Sequence, residues 1–94
     1  MQIVKTSRYM FELEVVLDFI AEDSLNRALE FAQKLNEQVL DLDNMPYKYR
    51  ASLKSDDHNI RDLVFHGYVI PYRINIDKNQ IEILGLFSAN RWEV

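Results

Sequence analysis

Apolar and polar residues alternate most clearly over residues 68–76 of this chain. A period of two is typical of a strand with one face on a core. Shorter apolar patterns over residues 61–65 and 81–87 predict strands on either side, joined by turns at His66-Gly67 and Asp77 to Asn79. Pro71 lies within the central strand and has no amide hydrogen to donate to a neighbouring strand. It therefore conflicts with a central place in the sheet, unless a bulge or a sheet edge removes the need for that hydrogen bond. The core-facing positions are predicted to be Tyr68, Ile70, Tyr72, Ile74 and Ile76.

Helical periodicity replaces this alternation in the first half of the chain. Thr6 or Ser7 can cap the start of a first helix, and Ser24 can cap the start of a second. Pro46 disfavours helical geometry at the residue before it, so the second helix should end near residue 43. Because few residues separate the two helices, we expect an antiparallel hairpin. The first helix has apolar residues at one-face spacing, namely Leu13, Val16, Leu17 and Ile20.

Three further apolar residues widen the stripe of the first helix: Phe11, Val15 and Phe19. Either the helix has a broad core face, or part of the stripe is left open for a partner chain.

With a short strand near residues 2–5, the element order is β-α-α-β-β-β. This order predicts an α+β fold, a two-layer sandwich in which the N-terminal strand and the helix hairpin pack on a small antiparallel sheet. At 94 residues we expect one domain covering residues 1–94.

Composition excludes several classes of protein and site. There is no cysteine, which excludes disulfides and thiolate metal sites. No apolar run is long enough to cross a membrane, and the start lacks the apolar centre of a signal peptide, so we expect a cytoplasmic protein. Gly67 and Gly85 are too far apart for a phosphate loop, and His58 and His66 lack metal-ligand spacing. We therefore expect no cofactor and no metal.

The formal net charge of −4 argues against tight, non-specific binding to nucleic acid. The helical half is acidic, whereas the sheet half is mildly basic. Its cations either form a surface for an anionic partner, which we expect on the sheet face away from the helices, or are exposed side chains paired with neighbouring acids. The tail ends in an Asn-Arg-Trp run typical of an interface hot spot, although such a tryptophan can also cap a core edge. The cations are Lys48, Arg50, Lys54, Arg61, Arg73 and Arg91.

The chain resembles the RelE/ParE toxin superfamily, which supplies the toxins of bacterial type II toxin–antitoxin systems. The similarity lies in the element order, in Ile60 to Leu63, in Gly67 to Ile74 and in Ile81 to Phe87. It implies a growth-inhibiting toxin, of the kind associated with plasmid stabilisation, that a small antitoxin neutralises. We expect the antitoxin to place an apolar segment in a groove between the helix hairpin and the sheet, as a helix or an added strand.

The superfamily implies two activities, and the residues favour the ParE-like one, inhibition of DNA gyrase. RelE-type members instead cut mRNA on the ribosome without a metal. Their pattern usually has an arginine where this chain has Val69, and this chain has no tyrosine beyond Tyr72 and no histidine near its end. The expected target-binding residues are Arg61, Arg73, Asn90, Arg91 and Trp92.

Two alternatives stay open. One is a ribosome-dependent mRNA endonuclease, whose catalytic charges would come from Lys48, Arg50, Lys54, Arg61 and Arg91. The other is an inactive member that only binds its antitoxin.

Overall fold

A computed structural model of the chain describes residues 1–89 and confirms the predicted two-layer α+β fold. Two helices lie against one face of a five-stranded sheet. Within the described range, no helix is both long and apolar enough to cross a bilayer. The elements are β1 (Gln2–Lys5), α1 (Ser7–Asp23), α2 (Leu25–Asp41), β2 (Ile60–Phe65), β3 (Tyr68–Asn75), β4 (Gln80–Ile83) and β5 (Phe87–Ser88).

The predicted helix caps are confirmed. The Thr6 hydroxyl oxygen accepts a hydrogen bond from the Tyr9 amide at 3.2 Å and starts α1. Ser24 both ends α1 and starts α2, because its amide donates to Ile20 while its hydroxyl accepts from the Arg27 amide at 3.2 Å. A single residue therefore separates the two helices, and they fold back as the expected antiparallel hairpin.

The β2–β3 hairpin has the predicted two-residue turn. Phe65 pairs with Tyr68, so His66 and Gly67 make the whole connection. Both have positive φ, 48° and 81°, which is the combination that a type I′ turn requires and that suits the right-handed twist of the two strands. The turn sets the register of the hairpin, in which Ile70 pairs with Leu63.

The expected wholly antiparallel sheet is wrong at one edge. The strand order is β1-β4-β3-β2, and β1 runs parallel to β4, from Gln2 beside Gln80 to Lys5 beside Ile83. The sheet is therefore mixed. The direction of β1 depends on how the helix hairpin returns the chain to the sheet, a long-range property that no local pattern encodes.

A bulge resolves the conflict at Pro71. The predicted strand over 81–87 is split into β4 and β5, which both pair with β3. Residues 84–86 lie opposite only two residues, Ile70 and Pro71, and such an excess is a β-bulge. The Leu84 amide donates to the Pro71 carbonyl at 2.8 Å. In a strand, the nitrogen and carbonyl of one residue point to the same side, so the proline nitrogen faces the bulge, where regular pairing is interrupted.

Glu12 attaches α1 to this bulge. Its carboxylate accepts a hydrogen bond from the Leu86 amide at 3.0 Å. A Cβ at Gly85 would lie 2.7 Å from the same carboxylate oxygen, so a larger residue there would require the Glu12 side chain to shift. The contact holds one end of α1 over the sheet, above a core of Tyr9, Leu35, Val39, Leu42, Leu63, Phe65, Ile70, Tyr72, Ile74, Ile81, Ile83 and Leu86.

Candidate functional site

An apolar ridge stands out from the solvent side of α1. It is formed by Phe11, Val15 and Phe19, spaced four residues apart, with 67%, 53% and 69% of their surface exposed. The opposite side of the same helix packs Tyr9, Leu13 and Val16 against the core, so these three exposed side chains cannot reach it. Three large apolar side chains in one exposed row are typical of a surface that contacts another chain. We call this row the α1 ridge.

The α1 ridge forms one wall of a long groove at the end of the sheet. Two depressions meet there and share Phe19 and Tyr68, so they make one continuous surface. One runs towards α2 and the β2–β3 turn, where Phe31 and Phe65 lie; the other runs towards β5. The ring of Phe31 contacts those of Phe65 and Tyr68 edge to face, with centroids 5.2 and 5.6 Å apart. The wall opposite the ridge is thus a packed aromatic cluster.

The expected cations of the connection between α2 and β2 lie along the far edge of the sheet. Ala51 makes an isolated bridge to Arg61, with the Ser52 amide donating to Ile60 and the Asp62 amide donating to Arg50. This bridge places the backbone of residues 50–52 beside β2 as a rudimentary sixth strand.

Asp62 is an unexpected component of this region. Its side chain is on the sheet face away from the helices and is only 1% exposed. Neither carboxylate oxygen forms a hydrogen bond of ordinary geometry with another described residue. Burial raises the pKa of Asp62, and the Ser52 hydroxyl and Arg50 charge oppose that rise, as do the Leu53 amide and Lys54. Two of the expected cations, Arg50 and Lys54, therefore act on an internal carboxylate.

The side chain of Arg61 is engaged within the protein. Its Nε donates to the His58 carbonyl at 2.9 Å, and its Nη1 donates to the Tyr49 carbonyl at 3.0 Å. The guanidinium also lies 4.9 Å from the centre of the Tyr47 ring. Arg61 thus joins the two ends of the 47–59 connection.

Arg73 is held by a cross-strand pair on the opposite face. Its Nε and Nη2 lie 2.8 and 2.6 Å from one Glu82 oxygen, and the Asn75 amide donates to the other at 3.2 Å. The hydrogen bond from Arg73 is the main reason that the pKa of Glu82 is lowered.

The expectation that the cations share the face away from the helices is wrong for Arg61. In the β2–β3 register, Arg61 pairs with Tyr72 of the core face, whereas Arg73 pairs with Ile60 on the other face. Paired residues of two antiparallel strands share a face, so the two arginines point in opposite directions.

The model of the ParE toxin of the type II toxin–antitoxin system parDE matches residues 6–91. The chain belongs to the ParE toxin family. Among solved structures, it is similar to a chain of the chromosomal ParDE toxin–antitoxin system from P. aeruginosa, with a TM-score of 0.74 and 21% identity over 94% of this chain and 95% of that one. At this identity, the likeness supports the fold alone. A search among curated proteins found no match to the sequence.

Membership of the ParE family implies an antitoxin partner, since these toxins belong to type II toxin–antitoxin systems. The groove beside the α1 ridge is an apolar opening lined by ridge residues and by the aromatic cluster, and it is a suitable place for such a partner. In the same residues 1–89, no group of three or more His, Asp or Glu side chains could hold a metal ion. The expected target-binding residues Asn90, Arg91 and Trp92 lie outside the described residues.

Sequence reasoning missed two residues that shape this ParE-family chain, Asp62 and Glu12. Asp62 alternates with core residues of β2, and only the strand of residues 50–52 explains why an outward-facing acid is buried. Glu12 lies next to the apolar stripe of α1, and its partner is 74 residues away. The widened stripe was the signal that did identify part of the groove.

Proposed function

We propose that this ParE-family chain inhibits DNA gyrase and is held inactive by an antitoxin whose segment occupies the groove beside the α1 ridge. The observation that carries the toxin class is the family match over residues 6–91. The open ridge of Phe11, Val15 and Phe19 supports the docking site, because a folded monomer gains nothing from exposing three large apolar side chains in one row.

The groove suits an amphipathic helix. Side chains spaced at i and i+4 on such a helix can interdigitate with the i and i+4 spacing of the ridge. The aromatic wall behind Tyr68 is packed by the Phe31 and Phe65 rings, so little ordering is needed when a partner binds. Burying three exposed apolar side chains contributes roughly several kcal/mol, enough to anchor a small antitoxin segment.

The end of the chain is the proposed contact with gyrase. We assign this contact to Asn90, Arg91 and Trp92, with Arg61 and Arg73 as anchoring residues. The two anchoring arginines are engaged by carbonyls or by Glu82, which supports a positioning role in the sheet rather than a primary contact.

Two observations weigh against the mRNA endonuclease alternative. Arg61, which would be one of its catalytic charges, donates two hydrogen bonds to backbone carbonyls. Arg50 and Lys54 lie near the buried Asp62, whose negative charge offsets theirs if it is ionised. Cations that offset an internal carboxylate have less field to stabilise the charge that develops on a scissile phosphate.

Supercoiling of relaxed plasmid by purified gyrase tests the proposal. The wild-type chain should inhibit supercoiling in proportion to its concentration, and an Arg91→Ala, Trp92→Ala variant should lose at least about tenfold of this potency. Substitution of Lys78→Ala, an exposed lysine in the β3–β4 turn, is the matched control and should change nothing.

Unimpaired supercoiling at a large molar excess of toxin would reject the gyrase assignment. Primer extension on translated mRNA then decides the alternative. Codon-phased cuts that disappear in a Lys48→Gln, Arg50→Gln, Lys54→Gln variant would establish the endonuclease.

A further inference from the structure

An acidic row runs beside the α1 ridge. Each ridge residue has an acid three positions further along the helix, which makes the two side chains neighbours on the helix surface. All three acids are exposed, and none forms an ion pair with another residue in the range 1–89. The row consists of Glu14 beside Phe11, Asp18 beside Val15, and Glu22 beside Phe19.

The other charges around the groove are largely compensated. Arg27 pairs with Asp23 at 2.8 Å, and Lys34 pairs with Glu30 at 3.1 Å, on the α2 side. At the start of α1, the Nε of Arg8 lies 3.4 Å from the Glu12 carboxylate. Paired charges contribute little to the field outside them.

His66, in the β2–β3 turn against the Phe65 ring, also lines the groove. Lys54 lies 5.5 Å from the centre of the Phe87 ring, which shares the sheet face of Asp62, away from the helices. Lys54 carries one charge and is on that far face, so it cannot offset three acids, and the net field along the ridge is negative.

We propose that the segment seated in this groove is an amphipathic helix with a row of lysine or arginine residues beside its apolar row. Its apolar side chains contact the α1 ridge, while its cations reach across the ridge to Glu14, Asp18 and Glu22, of which Glu22 also lines the groove. This inference rests on the proposed antitoxin docking, whose partner it describes by charge, and it does not involve gyrase.

Charge complementarity selects this occupant over a second copy of the chain. In an antiparallel two-fold contact between two α1 ridges, the acidic row of each copy would lie next to that of the other. Like charges placed opposite each other at an interface are destabilising. A basic segment turns the same three acids into favourable contacts.

Binding of two designed helical peptides tests the proposal. The peptides share one leucine row with i, i+4 spacing and differ only in the flanking row, which is lysine in one and glutamate in the other. In fluorescence anisotropy at low salt, the lysine peptide should bind at least about tenfold more tightly, and the ratio should shrink at about 0.5 M salt because the charges are exposed.

A charge-neutral variant locates the effect. Glu14→Gln, Asp18→Asn, Glu22→Gln should weaken binding of the lysine peptide about tenfold and remove the preference between the peptides. The matched control is Glu37→Gln, Asp56→Asn, Asp77→Asn, which removes the same three charges from exposed sites elsewhere and should keep most of the preference.

The proposal is overturned if the glutamate peptide binds equally well, if neither peptide binds, or if the control variant loses as much as the row variant. It is also overturned if the free chain dimerises and Phe19→Glu dissolves the dimer. A lysine preference together with unimpaired gyrase supercoiling would reject the gyrase assignment and leave this inference standing, whereas gyrase inhibition without the preference would do the reverse.

Discussion

Phe11, Val15 and Phe19 each expose more than half of their surface on one side of this molecule, whereas Asp62, on the far side of the sheet, exposes 1%. In one region apolar groups are in water, and in the other a carboxyl group is out of it. Both arrangements carry a free-energy cost. At the ridge, no other part of residues 1–89 covers the three apolar side chains. Asp62, in contrast, is surrounded by Ser52, Leu53, Arg50 and Lys54, which offset part of the cost of its burial.

This difference indicates which region awaits another molecule. Arg61 and Arg73 donate their hydrogen bonds to other groups of the same chain. A partner that used those bonds would have to break them first. A partner at the α1 ridge gains the full burial of apolar surface at no such cost. Four substitutions test this difference between the two regions.

Phe19→Glu should have the largest effect on binding. Phe19 is shared by both halves of the groove, so a charge there disrupts the whole contact. We expect the lysine peptide to bind roughly 100-fold more weakly, about 3 kcal/mol, as for a central interface residue. Because Phe19 is exposed, the free energy of unfolding should change by less than about 0.5 kcal/mol.

Leu53→Glu is the matched control, since Leu53 is equally exposed, at 72%, but lies in the other region. Equal losses of binding in the two variants would show that the groove is not the docking surface.

Arg61→Ala should have the largest effect on stability. It removes two charge-assisted hydrogen bonds to carbonyls and a ring contact, so we expect a loss of about 2 kcal/mol in urea unfolding. Arg61→Lys should fall between the wild type and Arg61→Ala, because an ammonium group cannot reproduce the planar fork. Unchanged stability in Arg61→Ala would contradict the positioning role of this residue.

Asp62→Asn should stabilise the protein at neutral pH by about 1 kcal/mol, since it removes the cost of ionising a buried carboxyl group. The folded-state pKa of Asp62 is raised above its ordinary value of about 3.9. Wild-type stability should therefore fall, through this group, as the pH rises from about 4 through the raised pKa.

The advantage of the Asp62→Asn variant should thus be greatest above that raised pKa and vanish towards a pH of about 4. The free energies of unfolding of the wild type and the variant, measured from about pH 4 to about pH 8, give this advantage at each pH. A constant difference across this range would mean that the effect does not arise from ionisation.

Arg73→Ala should have the smallest effect, about 0.5 kcal/mol, because the pair with Glu82 is at the surface and Arg73 is 46% exposed. The lowered pKa of Glu82 contributes stability above its ordinary value of about 4.3, which is lost as the pH falls through the lowered pKa. The difference between variant and wild type in urea should therefore disappear in acid and shrink in high salt. A loss of stability as large as that of Arg61→Ala would show that the two arginines contribute equally to the stability of the fold.

Much of the local structure follows from the sequence. The alternation marks β3, although the strand ends at Asn75 and the predicted core position Ile76 is exposed in the turn that follows. Thr6 and Ser24 mark the starts of both helices, because strand faces and helix caps depend on neighbours a few residues away. His66-Gly67 marks the hairpin turn for the same reason. The widened stripe of α1 left a core face and a partner surface both open, and the structure favours the second for Phe11, Val15 and Phe19.

Tertiary structure alone decided the rest. The parallel β1–β4 pair, the bulge opposite Pro71, the burial of Asp62 and the opposite directions of Arg61 and Arg73 all depend on which distant segments meet and in what register. A shift of one residue would reverse the face of every side chain in a strand, and nothing within a strand reports that choice. The sequence thus determined the elements and the class of fold. The pairing of segments far apart in the chain determined which charges are engaged within the protein and which apolar side chains are left open to a partner.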